Sequence, residues 1–196
     1  MNLEIAGIVL AGGQSRRFGT PKAFALLEGI PFYKYSINVM KPFVKSIVLV
    51  SNNDIVDEFK HEIPNLKLIV DDPLYAGLGP LAGIYSGMDS VEAEWYLISP
   101  IDVPFMDELV YKTLLENIEV GNEIVVPIVK GRMQPLISAF HCTMKERIRE
   151  QLANQELSPK QLFTKSKVKF IEMDCEEPFR NINYQDDLRK YQVKDS

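Results

Sequence analysis

The stretch LAGGQSRRFGTPK, Leu10 to Lys22, sets a glycine pair just ahead of three cationic side chains. Gly12 and Gly13 let a backbone turn tightly and present its N–H groups, and Arg16, Arg17 and Lys22 add charge that an anion complements. Phosphate is the natural guest. Two familiar cradles fail on spacing. A P-loop needs GxxxxGK[ST], whereas Gly13 is followed by Phe18-Gly19-Thr20, and AGGQSRRFG contains no GxGxxG. Taken alone, a glycine pair after a strand equally suits a plain turn with solvated arginines.

Carboxylates recur in two further loops. PIDVPF, Pro100 to Phe105, places Asp102 at the end of the apolar run WYLIS, between prolines that stiffen the loop. That setting suits a hard divalent cation, and Asp102 is the candidate Mg²⁺ ligand. One carboxylate with substrate phosphates and waters is the usual way Mg²⁺ is held. As a helix N-cap Asp102 stands too early, and Asp107 fits that role better. DDPLYAGLGPLAG, Asp71 to Gly83, reads by itself as a turn leading into a helix. His61 and His141 have no second ligand at metal spacing and read as ordinary surface or boundary histidines.

The elements that must position these loops alternate. Ile5 to Leu10 is apolar throughout, as a strand covered on both faces of a parallel sheet would be. FYKYSINVM after Pro31 has helical spacing, with Pro31 in a first helical position. Ser46 to Val50 is a second strand, Asp54 to Glu62 a short helix and Leu66 to Val70 a third strand. A helix over Leu81 to Ser90, the strand Trp95 to Ser99 and a helix over Asp107 to Asn117 follow. Strands over Glu123 to Val129, Gln134 to Phe140 and Val168 to Met173 and a helix over Asp186 to Tyr191 complete the pattern. Alternation with buried strands predicts a three-layer α/β/α sandwich with a mostly parallel central sheet. In such a sheet the ligand crevice lies beyond the carboxyl ends of the strands, here loops 11–21, 51–53, 71–80 and 100–106.

A chain of 196 residues, 46% of them hydrophobic, supports one domain over 1–196 with a real core. A net charge of −5 argues against a broad nucleic-acid surface, so any basic site is local. Cys142 and Cys175 form no CxxC motif and read as reduced thiols of a cytoplasmic protein. Glu4 stands where a signal peptide would be positive, and the first apolar run falls short of the ~20 residues of a membrane span.

The residues LAGGQSRRFGTPKAF resemble the signature LAGGxSxRxG…K of nucleotidyltransferases of the glycosyltransferase-A-like class, matching it at Gly12, Gly13, Ser15, Arg17, Gly19 and Lys22. GPLAG, Gly79 to Gly83, is similar to the second landmark of the molybdenum cofactor guanylyltransferases, the MobA family. PIDVP, GRMQP and FRNINYQDDL resemble three more, so the landmarks run through nearly the whole chain in the family's order.

The resemblance implies transfer of GMP from Mg·GTP to the phosphate of molybdenum-molybdopterin, with pyrophosphate released. Arg17, Lys22 and Asp102 would be catalytic, the first two by neutralising the leaving pyrophosphate. Nucleotide contacts would come from Leu10, Ala11, Gly12, Gly13, Lys22, Asn53, Gly79 and Asp102, and from an aspartate counted back from Gly79 to Asp72, with Asp71 beside it as second choice. Arg132, Asn181 and Asn183 would meet the acceptor, although solvent exposure or turn formation would also account for them. By family analogy a GTP-binding accessory protein and recipient molybdoenzymes would be partners. Two rivals remain open. A related cytidylyltransferase more often reads AAG where this chain reads LAGG, and a non-catalytic module of the same fold could dispense with Lys22 or Asp102, both of which are present.

Overall fold

The apolar run Ile5–Leu10 forms strand β1 in the middle of the sheet, with Ile8 and Val9 fully buried. The structure, a computed structural model, describes residues 3–13, 18–59 and 66–192. Strands β2 (Leu26–Leu27) and β3 (Ile30–Pro31) make a small hairpin ahead of helix α1 (Phe32–Met40). Then come β4 (Ser46–Ser51), β5 (Leu66–Val70), α2 (Pro80–Ser90), β6 (Trp95–Pro100) and α3 (Glu108–Glu116). The remainder is β7 (Ile124–Val129), β8 (Arg132–Met133), β9 (Ser138–His141), α4 (Met144–Ala153), α5 (Pro159–Thr164), β10 (Val168–Met173) and α6 (Gln185–Gln192).

The main sheet runs β10-β7-β9-β6-β1-β4-β5, with β8 paired to β7. β5, β4, β1 and β6 are parallel to one another, and so are β7 and β10. β9, antiparallel to both of its neighbours, and the short β8 run the other way. Because successive side chains leave a strand on opposite faces, the two faces fill from alternate residues. Val9, Leu49 and Leu97 pack with Ile37 and Met40 of α1 and Tyr111 and Leu114 of α3. Ile8, Val48, Val50 and Ile98 pack with Leu81, Ile84 and Met88 of α2 and with Ile148 and Leu152 of α4. The result is the expected α/β/α sandwich. Helix α2 lies unusually close to β1, since a Cβ on Gly83 would stand 2.8 Å from Leu10 Cδ2 and one on Gly87 2.8 Å from Ile8.

Several expectations need correction. Where Asp54 to Glu62 reads as a helix, the described part is a single 3-10 turn, Val56–Glu58, and residues 60–65, His61 among them, lie outside the described residues. Pro31 is the extended residue before α1 and a member of β3, so the first helical position is Phe32. The strand expected over Gln134 to Phe140 starts only at Ser138, because Gln134 to Ile137 make a turn closed by the Ile137 N–H on the Gln134 carbonyl. The Leu26–Pro31 hairpin escapes the strand pattern, its strands being two residues each; its turn carries positive φ at Glu28 and Gly29. Asp107 caps α3 as expected, its Oδ1 accepting from the Leu109 N–H at 2.8 Å. Among the described residues no helix is long and apolar enough to cross a membrane.

Candidate active site

All four parallel strands β6, β1, β4 and β5 end at the same edge, and a cavity of about 710 Å³ opens there, within the usual range for a ligand pocket. Each strand contributes its first loop residues. Leu10 ends β1, and Gly12 and Gly13 follow it; Asn52, Asn53 and Asp54 follow β4; Asp71, Ala76, Gly77 and Gly79 follow β5; and Ile101 and Asp102 follow β6. Leu136 also lines it, since the reversed direction of β9 brings the start of that strand to this edge.

The glycine loop is held from behind. The Ala11 N–H donates to the Val50 carbonyl at 2.8 Å, and Asn52 Nδ2 donates to the Gly12 carbonyl at 3.0 Å. A Cβ on Gly12 would come within 3.4 Å of the Ser51 backbone, so glycine lets the two loops touch. Ala11 itself is buried in the core and is not part of the lining. Ser15, Arg16 and Arg17 lie outside the described residues.

Lys22 reaches the cavity from a short 3-10 turn, Lys22–Phe24. Its Nζ stands 3.8 Å from Asp102 Oδ2 and donates to Asn183 Oδ1 at 3.0 Å. Burial pushes the Asp102 carboxyl up, and the Lys22 charge opposes that; burial likewise pulls Lys22 down, opposed by Asp102 and Asp187. Both charged forms lose more from desolvation than they recover from each other. Asp102 offers hard oxygen donors on an open cavity. Among the described residues no three His, Cys, Asp or Glu side chains gather to hold a metal. A divalent cation there would rest on one carboxylate plus phosphate oxygens and water, an arrangement that fits Mg²⁺.

At the β5 loop the geometry separates two adjacent aspartates. Asp71 lines the cavity, and burial raises its carboxyl against a hydrogen bond from the Gly77 backbone. Asp72 does not line it. Its Oδ1 instead accepts from the Leu74 N–H at 2.8 Å, and its own N–H donates to Ser86 Oγ on α2 at 2.8 Å. Of the nucleotide candidates, Leu10, Gly12, Gly13, Lys22, Asn53, Asp71, Gly79 and Asp102 therefore share the cavity. Arg132 and Asn181 are exposed and outside its lining, whereas Asn183 meets it through Lys22. His141 packs on Trp95 with ring centroids 5.1 Å apart, its Nδ1 against Thr143 Oγ1 at 2.9 Å.

Sequence reasoning did not find the roles of Asn52 as a brace for the glycine loop, of Leu136 in the lining or of Asn183 on Lys22. Paired asparagines at a strand end hinted at the first. Nothing local announces the other two, which depend on β9 running backwards and on a contact across 161 residues of chain.

A crevice of this kind, with a glycine loop and a lysine–aspartate pair at the strand ends, is that of an α/β nucleotidyltransferase. Residues 7–168 match the family model of the MobA-like NTP transferase domain. The chain is 42% identical over 171 residues to a "probable molybdenum cofactor guanylyltransferase" of Bacillus cytotoxicus, covering 87% of this chain and 85% of that one. A Bacillus cereus protein of the same name is 42% identical over 168 residues, 86% and 84% of the two chains. Among solved structures, molybdopterin-guanine dinucleotide biosynthesis protein A of Archaeoglobus fulgidus superposes with a TM-score of 0.79 at 21% identity, over 96% of each chain. The chain belongs to the MobA-like NTP transferase family.

Proposed function

We propose that this chain transfers GMP from Mg·GTP to the phosphate of molybdenum-molybdopterin, yielding the guanine dinucleotide cofactor and pyrophosphate. The observation that carries the reading is the meeting of Lys22 and Asp102, 3.8 Å apart, beside a glycine loop on one cavity. An acceptor phosphate oxygen attacks the α-phosphorus of GTP in line; the new P–O bond forms as the bond to the β-phosphate oxygen breaks, and that oxygen leaves on pyrophosphate. The acceptor is already an anion, so no general base is needed, and catalysis is positioning plus charge neutralisation. Mg²⁺ on Asp102 would supply charge neutralisation at the phosphate oxygens.

Gly12 and Gly13 would bring backbone to the phosphates, while Lys22 meets the leaving group, with Arg17 assigned beside it on the strength of the motif. Asp71, in preference to Asp72, would take hydrogen bonds from the nucleoside, because it lines the cavity and Asp72 does not. Leu10, Asn53 and Gly79 line the same space. Arg132 and Asn181 stay with the acceptor.

The chain would work as one domain, since a single sheet extends from β1 to β10. Cys142 and Cys175 are exposed free thiols, in keeping with the reducing cytoplasm. A GTP-binding accessory protein and recipient molybdoenzymes are the proposed partners. Turnover measured by mass spectrometry with molybdenum-molybdopterin and each of GTP, CTP, ATP and UTP tests the reading; GTP should be preferred, and product from CTP but not GTP would sink it.

A further inference from the structure

We propose that Asn183 is a positioning residue for Lys22, so that the segment ahead of α6 belongs to the phosphate end of the site; this rests on the nucleotidyl-transfer reading. The Lys22 ammonium donates a hydrogen bond to the amide oxygen of Asn183 at 3.0 Å, while the Asp102 carboxylate stands at 3.8 Å. A lysine side chain is a flexible stem carrying a compact charge. A neutral carbonyl can orient that charge without adding a second anion beside Asp102, so it aims the ammonium while leaving the phosphates as its charged partner.

Asn183 is itself held on both sides. The Ile182 N–H donates to the Asp102 backbone carbonyl at 2.9 Å, tying this segment to the loop that carries the candidate metal ligand. Asp187 Oδ2 accepts from the N–H groups of Asn183 and Tyr184 at 3.4 and 3.2 Å. Beneath, Ile182 and Leu188 are buried with Phe18, Leu27 and Phe32, a cluster that joins the far end of the glycine loop, the hairpin and α1 to the C-terminal segment. Held in this way, the Asn183 oxygen is a preorganised acceptor, and preorganisation is what gives a remote contact leverage on a reacting centre.

The test is a double-mutant cycle of Asn183→Ala and Lys22→Met. It is read as kcat, as KM for each substrate and as calorimetric affinity for Mg·GTP without acceptor, with melting temperatures confirming that each variant is folded. Losing a hydrogen bond to a charged group should lower GTP affinity and kcat roughly tenfold in Asn183→Ala. The acceptor KM should stay within about twofold, and Asn183→Ala should add no further loss in the Lys22→Met background if the amide acts only through the lysine. Three results would overturn the proposal: losses that add in the double variant, a raised acceptor KM with GTP affinity unchanged, or no change in Asn183→Ala at all. Failure of the guanylyl reading would show instead in the unsubstituted chain, as absence of GTP turnover, and the cycle would remain readable with whichever nucleotide that chain uses.

Discussion

Asp102 and Asp71 face one cavity from the same edge of the same sheet, yet they are equipped differently. In the strand order β6-β1-β4-β5 their strands are three spacings of about 4.8 Å apart, roughly 14 Å, enough to separate the phosphates of a nucleotide from its base. Burial raises both carboxyls. Asp102 has a lysine ammonium 3.8 Å away, while at Asp71 a hydrogen bond from the Gly77 backbone opposes the effect of burial. Identical side chains thus acquire different chemistry from their neighbours: one end of the cavity is built around charge, the other around hydrogen bonds to neutral groups.

Removing the charged end should hurt most. Asp102→Ala is expected to cut Mg-dependent turnover by on the order of 10²- to 10³-fold, the size of effect seen when transition-state charge loses a preorganised partner, with little change in melting temperature. Retention of full activity would take Asp102 out of the mechanism. Lys22→Ala should cost about ten- to a hundredfold in kcat, in line with ~1.5–3 kcal/mol for a charge-assisted hydrogen bond; unchanged kinetics would count against its phosphate role.

The hydrogen-bonding end should respond in affinity more than in rate. Asp71→Asn is expected to weaken GTP binding roughly tenfold at near-normal kcat. Asp72→Asn should leave binding within about twofold, because asparagine also supports the turn that Asp72 makes with Leu74. The reverse ranking in calorimetry would restore Asp72 as the nucleoside contact.

A control away from both ends comes from Gly87→Ala, which forces a methyl against the buried Ile8 and should cost about 1–3 kcal/mol of stability while leaving the GTP KM alone. A KM shift as large as that of Asp71→Asn would mean that the sheet edge transmits strain to the pocket.

The smallest effect is a pH dependence. Since burial raises the Asp71 carboxyl above its ordinary value of 3.8, the folded chain keeps that proton to higher pH than the unfolded one. Its contribution to stability is therefore greatest in acid and declines as pH rises from 3.8 through the raised value. Asp71→Asn removes that decline, so the variant should gain in melting temperature relative to the unsubstituted chain across this window and hold the gain at neutral pH. A constant difference at every pH would show that Asp71 is not desolvated.

Periodicity carried most of the architecture. The bounds of β1, β5, α1 and β10 match the runs read from sequence, because strands covered on both faces and amphipathic helices write their burial into residue order. It failed where local pairing or turns decide. The Leu26–Pro31 hairpin is too short to show a period, and the turn at Gln134 to Ile137 delays β9 although Leu136 and Ile137 are apolar.

By itself the sequence determined the alternation of strands and helices, the loops that would form the crevice and the residue types offered to phosphate and metal, since motif spacing and hydrophobic period are local properties. Only the tertiary structure decided which of those side chains meet. Asp71 turns into the cavity while Asp72 closes its own turn, β9 runs backwards and delivers Leu136, and Asn183 arrives at Lys22 from the other end of the chain. Contacts of that kind depend on strand order and on the packing of Ile182 and Leu188 beside Phe18 and Phe32, which no window along the chain contains.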